Sequence, residues 1–258
     1  MQKQFIKNRK GQKIAVIVEQ VENQRGLAFV MHGLGGFKEQ PHILTIAVAF
    51  QEKGYTTIRF DTTNTIGESD GNFEDATTTN YYEDLEDVIK WTETQKWYEE
   101  PFCLAGHSLG GICTALYAQN HSKRVKCLAP ISTVVSGKLT TETANHKERE
   151  KEWKESGWRI EKSVSKPDVI KKLKWSHMAD RLKYDLLPNA SKLTMPVLLI
   201  VGERDETTPL EHQRIFYNAL PGPKELHIIS GAPHTFREDT HLEELNHLLD
   251  QWLKNNKI

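Results

Sequence analysis

The sequence predicts an α/β protein with a mostly parallel central sheet, helices on both faces and one inserted subdomain. Three observations lead to this prediction. Short apolar runs alternate with helical stretches over the first half of the chain, an order that builds a parallel sheet. The alternation stops for the stretch 134–190 and then resumes. A serine flanked by glycines lies at one of the strand-to-helix turns.

The predicted elements follow from apolar runs and from helical periodicity. Strands are expected at 14–19, 27–31, 56–60, 102–105, 125–129, 196–201 and 226–230, and helices at about 41–53, 81–97, from 112 onward, 209–220 and 238–254. The polar stretch 22–26 predicts a hairpin between the first two strands. The charged stretch 134–190 shows no strong strand pattern. We therefore expect a core domain of residues 1–133 and 191–258, with residues 134–190 as an inserted cap.

Length and composition limit the function classes. The chain has 258 residues, a formal net charge of -1 and a pI near 6.8, so nothing indicates a nucleic-acid partner. It shows no signal-peptide pattern and no apolar run long enough for a membrane helix, which predicts a cytoplasmic protein with no membrane partner. The odd set Cys103, Cys113 and Cys127 falls in predicted core elements, where we expect reduced thiols.

The serine turn has the pattern of a nucleophile elbow. The apolar run 102–105 is followed by Gly106, Ser108 and Gly110, and a helix follows from 112. Such a turn lifts the serine hydroxyl above the sheet edge and leaves no space for side chains two residues on either side. Ser108 is therefore the candidate nucleophile, and the alternative is a glycine-rich turn whose serine only caps the helix.

A serine nucleophile needs a base, and the base needs an acid to orient it. Asp205 follows the predicted strand 196–201, and His234 follows the predicted strand 226–230. Parallel strands end at one edge of the sheet, so both side chains are expected near Ser108. The chain order serine, aspartate, histidine is the one found in α/β-hydrolases.

Neighbouring residues offer alternatives for the acid and the base. Glu203 and Glu206 lie on the same loop as Asp205, and His227 lies in the strand before His234. We prefer Asp205 as the acid. His227 is less suited as the base, because the side chain of a strand residue is held by the sheet. His107, His121, His212 and His241 are not expected to face the elbow.

A second glycine-rich loop, residues 32–36, follows the strand 27–31. Acyl transfer places negative charge on a carbonyl oxygen, which two backbone N–H groups commonly stabilise. We expect these donors to be Leu34 on this loop and Leu109 directly after the candidate nucleophile. The loop lacks the lysine of a phosphate-binding loop, and the histidines lack metal-binding spacing. No metal and no cofactor are predicted.

These motifs, together with Asp61 and the Gly-Glu-Ser-Asp-Gly loop 67–71, resemble α/β-hydrolase-fold serine hydrolases over nearly the whole chain. The resemblance is to the feruloyl/cinnamoyl esterases and their relatives among small carboxylesterases and monoacylglycerol-lipase-like enzymes. It implies a Ser/Asp/His triad, a backbone oxyanion hole and an inserted subdomain over the acyl pocket. This chain departs from the pattern at residues 61–67 and in its lysine-rich insertion, both of which concern the substrate.

The sequence thus predicts a serine hydrolase that cleaves carboxylic esters, of feruloyl/cinnamoyl type or with short acyl groups, through an acyl-enzyme. Trp153, Trp158, Trp175 and Met178 are candidates for a mostly apolar cap pocket, although individual substrate-binding residues are not assigned. The expected partner is a small-molecule ester, and a homodimer is left open. The alternatives are a thioesterase or peptidase with the same triad, and a non-catalytic binding protein on this fold.

Overall fold

The computed structural model describes residues 2–258, apart from the side chain of Asn145. Its central sheet has eight strands in the order β1-β2-β4-β3-β5-β6-β9-β10, and β7 and β8 form a separate two-stranded sheet. The strands are β1 Gln2–Lys7, β2 Lys13–Glu19, β3 Leu27–Met31, β4 Thr56–Phe60, β5 Phe102–His107, β6 Val125–Ile131, β7 Trp158–Lys162, β8 Ile170–Lys174, β9 Val197–Gly202 and β10 Lys224–Ile229. The helices are α1 Pro41–Glu52, α2 Thr78–Thr92, α3 Leu109–Asn120, α4 Gly137–Glu142, α5 Ala144–Ser156, α6 Ser176–Arg181, α7 Leu210–Ala219 and α8 Asp239–Asn255.

The predicted α/β-hydrolase fold is confirmed. From β4 to β10 neighbouring strands are parallel, while β1 and β2 add an antiparallel edge. Helices cover both faces, and the side chains of β3 alternate between two cores. Phe29 points to the core shared with α2, α3 and α7, whereas Ala28 and Val30 point to the core shared with α1 and α8.

Two expectations about the first strands need correction. The predicted hairpin between β2 and β3 is wrong, because β4 lies between them and pairs with both. All residues of β3 are buried, which suits an interior strand with a neighbour on each side. The sequence does not predict β1 at the outer edge of the sheet, because this strand is mostly polar and buries only Ile6.

Residues 134–190 form α4, α5, the hairpin β7–β8 and α6 between β6 and β9. The hairpin was not predicted, because its strands carry charged residues at most positions. The segment packs on the core domain through α6, where the Asp180 carboxylate accepts hydrogen bonds from the Thr79 N–H at 2.8 Å and the Thr79 hydroxyl at 2.6 Å. Trp153 of α5 is buried and donates from its indole N–H to the Leu173 carbonyl at 3.0 Å.

A buried ion pair connects the loops after β3 and β4. Lys38 and Asp61 are both fully buried, and the Lys38 Nζ donates to Asp61 Oδ2 at 2.8 Å. Asp61 also accepts from the N–H of Lys38 at 2.7 Å and from the N–H of Glu68 at 2.8 Å. A Cβ at Gly67 would lie 2.3 Å from the Asp61 carboxyl carbon, so this loop can approach Asp61 only with glycine there. The pair therefore fixes the base of both loops.

We expect Lys38→Met to lower the free energy of unfolding by about 3 kcal/mol, because it leaves the Asp61 carboxylate buried without its counter-charge. Urea denaturation measures the change. The matched control is Lys3→Met, which removes the surface lysine that pairs with Glu68. That change should cost no more than about 1 kcal/mol. Equal losses in the two variants would contradict the importance of the buried pair.

Candidate active site

Ser108 occupies the sharp turn between β5 and α3. Its backbone has φ 56° and ψ -114°, a conformation that is costly for a residue with a side chain. A Cβ at Gly106 would lie 2.4 Å from the Gly110 carbonyl oxygen, and one at Gly110 would lie 2.5 Å from the His32 carbonyl oxygen. The two glycines are therefore required by close backbone contacts, as the spacing predicts for an elbow.

A chain of hydrogen bonds links the three residues that the sequence singles out. The His234 Nε2 lies 2.9 Å from Ser108 Oγ, and the His234 Nδ1 lies 2.8 Å from Asp205 Oδ2. A carboxylate only accepts, so the Nδ1–H of His234 donates to Asp205. The Nε2 lone pair then faces the Ser108 hydroxyl, which is the tautomer that a general base for this hydroxyl requires.

Asp205 is held as a carboxylate by its surroundings. Burial by itself would raise the pKa of Asp205, but His234 and the hydrogen bonds of Thr208 outweigh burial and keep that pKa below its usual range. Oδ1 accepts from the N–H groups of Thr207 at 3.0 Å and Thr208 at 2.9 Å. Both carboxylate oxygens are therefore occupied, and the orientation of Asp205 toward His234 is fixed.

The alternative acids and base lie elsewhere. Glu203 is exposed and accepts from the Gly231 N–H at 2.7 Å, and Glu206 is exposed on the same loop. His227 lies on β10 and pairs with Glu225 at 2.9 Å. Among these candidates, the hydrogen-bonding geometry favours Asp205 and His234.

The loop after β3 lies against the serine. Its shape is set by His32, whose Nδ1–H donates to the Gly33 carbonyl at 2.8 Å and whose Nε2 accepts from the Thr62 N–H at 3.1 Å. A Cβ at Gly33 would lie 3.0 Å from the Ser108 Cβ. Within residues 2–258, the N–H groups of Leu34 and Leu109 have no hydrogen-bond acceptor. Neither N–H group is therefore engaged in another hydrogen bond within the described chain, as the prediction of two oxyanion donors requires.

His107, which is not expected from the sequence to face the elbow, supports the loop that carries His234. It is buried, and its Nε2–H donates to the His234 carbonyl oxygen at 2.7 Å. Its ring lies 4.7 Å from the His234 ring and 4.5 Å from the His42 ring, centroid to centroid. Burial lowers the pKa of both His107 and His42, the latter to about 3, so these rings are neutral. The one sign of this supporting role in the sequence is that His107 directly precedes Ser108.

A cavity of about 240 Å³ opens beside Ser108 and His234. Trp153 and Met178 line it, as the sequence suggests for the cap. Trp158 is exposed instead, and Trp175 packs against Trp153 at 5.3 Å between ring centroids. The expectation of a mostly apolar wall is wrong, because basic side chains also line the cavity. They are Arg149, Arg159, Lys171 and Arg181.

One group of carboxylates in the described chain has the spacing of a cation site: Glu39, Asp61 and Glu68. The ammonium group of Lys38 lies among them, 3.0 Å from Glu39, 2.8 Å from Asp61 and 2.5 Å from Glu68. The ammonium group already occupies the space between the three carboxylates and balances part of their charge, so a metal ion would have to displace a buried cation. Along residues 2–258, no helix is both long enough and apolar enough to cross a membrane.

The family described as "Serine aminopeptidase, S33" matches residues 22–241, and the chain belongs to this family. It is therefore a hydrolase of the α/β serine hydrolase class, as the resemblance implied. An uncharacterised 31.7 kDa protein of Escherichia coli, from the traX-finO intergenic region, is 28% identical over 261 residues, covering 88% of this chain and 90% of that protein.

Two further similar proteins are a thioesterase and a protein with bound ferulic acid. The mitochondrial palmitoyl-protein thioesterase ABHD10 of Mus musculus is 30% identical over 168 residues, covering 63% of this chain and 54% of that protein. The structure of Est1E from Butyrivibrio proteoclasticus with bound ferulic acid superposes with a TM-score of 0.79 and 23% identity, covering 98% of this chain and 99% of that chain. At this identity the superposition supports the fold.

We expect Asp205→Asn to reduce the turnover of a 4-nitrophenyl ester by roughly 10⁴-fold, because an amide can hold His234 in the wrong tautomer. Release of 4-nitrophenol measures the rate. The matched control is Glu206→Gln on the same loop, which removes an exposed carboxylate and should keep the wild-type rate. A mild loss of turnover in Asp205→Asn together with a severe loss in Glu206→Gln would show that Glu206, and not Asp205, is the acid.

Proposed function

We propose that the protein hydrolyses small carboxylic esters through an acyl-enzyme on Ser108. The observation that carries the proposal is the unbroken hydrogen-bond chain from Ser108 through His234 to Asp205. The strained turn that presents Ser108 and the two free N–H groups beside it support the same chemistry. The family assignment supports hydrolysis in general, and the ester substrate is our inference.

In the proposed reaction, His234 Nε2 takes the hydroxyl proton while Ser108 Oγ attacks the ester carbonyl carbon. The oxyanion that forms accepts hydrogen bonds from the N–H groups of Leu34 and Leu109. As the intermediate collapses, His234 returns the proton to the leaving alcohol and the acyl group stays on Ser108. A water molecule then attacks in the same way, and the carboxylic acid leaves. Asp205 keeps the imidazole oriented throughout.

The size of the cavity favours a small substrate. Its volume of about 240 Å³ lies below the roughly 300–1,000 Å³ of sites that enclose drug-sized ligands. We propose that residues 134–190 act as the cap that selects the substrate, because most side chains around the cavity come from this segment. This cavity favours short acyl groups over the long chain of a palmitoyl thioester.

The relation to a palmitoyl-protein thioesterase makes a thioesterase the second candidate. The proposed steps are the same, except that a thiol leaves in place of an alcohol. Esters, thioesters and amides with the same acyl group separate these activities. The proposed function predicts the highest kcat/KM for esters.

We expect Ser108→Ala to lower ester turnover by several powers of ten, because no other group can form the acyl-enzyme. The rates of matched acetyl and butyryl esters, thioesters and anilides give the measurement. The control is Ser122→Ala, which removes a hydroxyl outside the cavity and should keep the wild-type rates. Wild-type turnover by Ser108→Ala would contradict the mechanism, and faster thioester than ester cleavage would favour the second candidate.

A further inference from the structure

The cap wall of the cavity carries more positive than negative charge. Arg149, Arg159, Lys171 and Arg181 line it together with a single acid, Glu161. Glu161 pairs with Lys171 at 2.8 Å and with Arg159 at 3.3 Å. One carboxylate thus serves two cations. Among the described residues, Arg149 and Arg181 have no acidic partner.

Arg181 is the most unusual of these cations. It lies at the end of α6 with only 7% of its surface exposed, and no described residue accepts a hydrogen bond from its Nε. The strongest effect of a charged residue on it comes from the like charge of Arg159. Burial, together with Arg159, lowers the pKa of Arg181 to about 10, which still leaves it protonated at neutral pH. A buried guanidinium without a counter-ion is unfavourable unless something else supplies the negative charge.

The position of Arg181 indicates where that negative charge belongs. Arg181 lines the same cavity as Ser108 and His234, so a ligand beside the nucleophile can reach it. The planar guanidinium matches a carboxylate, which accepts two parallel N–H bonds. Trp153 and Met178 add apolar surface to this cavity, and the Arg159 guanidinium lies 5.1 Å from the Trp153 ring. The cavity therefore combines apolar contacts with two cations that lack an acidic partner among the described residues, of which Arg181 is the buried one.

We propose that the substrate is an ester that carries a carboxylate, and that this carboxylate pairs with Arg181 under the cap. The inference rests on the proposed esterase function and names its substrate class. The carboxylate belongs either to the acyl part, as in a half-ester of a dicarboxylic acid, or to the alcohol part. Arg149, Arg159 and Lys171 raise the positive potential of the cavity and favour the entry of an anion.

Two matched substrate pairs test the proposal. For the acyl side, 4-nitrophenyl hemiglutarate is compared with 4-nitrophenyl pentanoate. For the alcohol side, 4-acetoxybenzoate is compared with its methyl ester. We expect kcat/KM to be higher for the anionic member of one pair by on the order of ten- to hundredfold. The pair that shows the preference identifies the part of the substrate that carries the charge.

The variant Arg181→Gln removes the charge and should bring that ratio close to one. The control is Arg214→Gln, an exposed arginine on α7 outside the cavity, for which the wild-type ratio is expected. If Arg181→Gln does not fold, the exposed Arg149→Gln replaces it, and a smaller fall of the ratio is expected. A ratio that neither variant lowers would overturn the proposal.

A binding measurement separates this proposal from the proposed function. Calorimetry with Ser108→Ala should detect glutarate binding in the intact protein, and Arg181→Gln in the same background should weaken it. Hydrolysis of neutral and anionic esters at equal rates would overturn the carboxylate proposal and leave the esterase function intact. Glutarate binding without hydrolysis of any ester would overturn the esterase function and support an anion site at Arg181.

Discussion

The close approach of three backbone segments around Ser108 is the constraint on which the site depends. Ser108, in the turn after β5, has a positive φ. A Cβ at Gly106 would collide with the backbone of Gly110, and a Cβ at Gly110 would collide with the backbone of His32. The loop after β3, which carries Leu34, lies against this turn because β3 and β5 are neighbours in the sheet. Asp205 and His234 follow β9 and β10, whose carboxyl ends lie along the same edge of the parallel part of the sheet.

The hydrogen bonds around the site act in two layers. The inner layer joins Ser108, His234 and Asp205. The outer layer holds the loops: Thr208 binds the Asp205 carboxylate, His107 binds the His234 carbonyl, and His32 shapes the loop of Leu34. Further from the serine, the buried pair of Lys38 and Asp61 anchors that same loop. Each of these outer hydrogen bonds holds either a side chain of the inner layer or the loop next to it in place.

The sequence predicts the parts of this arrangement that depend on local pattern. The strand before Ser108, its flanking glycines and the loops of Asp205 and His234 are visible because strands end where apolar runs end. Strand pairing is not local, which explains why the stretch 22–26 does not form the hairpin that its polar pattern predicts. The burial of a charged residue is likewise not visible in the local sequence. Lys38 and Arg181 look like surface residues in the sequence, and only packing reveals that both are buried.

A covalent acyl group on Ser108 is the central claim, and mass spectrometry of the acid-quenched protein tests it most directly. The wild-type protein is mixed with 4-nitrophenyl acetate, quenched within the first turnover and digested. We predict one acetyl group, located on the peptide that contains Ser108 and lost at later quench times. Rapid release of 4-nitrophenol with no acetyl group on the protein, or with acetyl on another residue, would contradict the account.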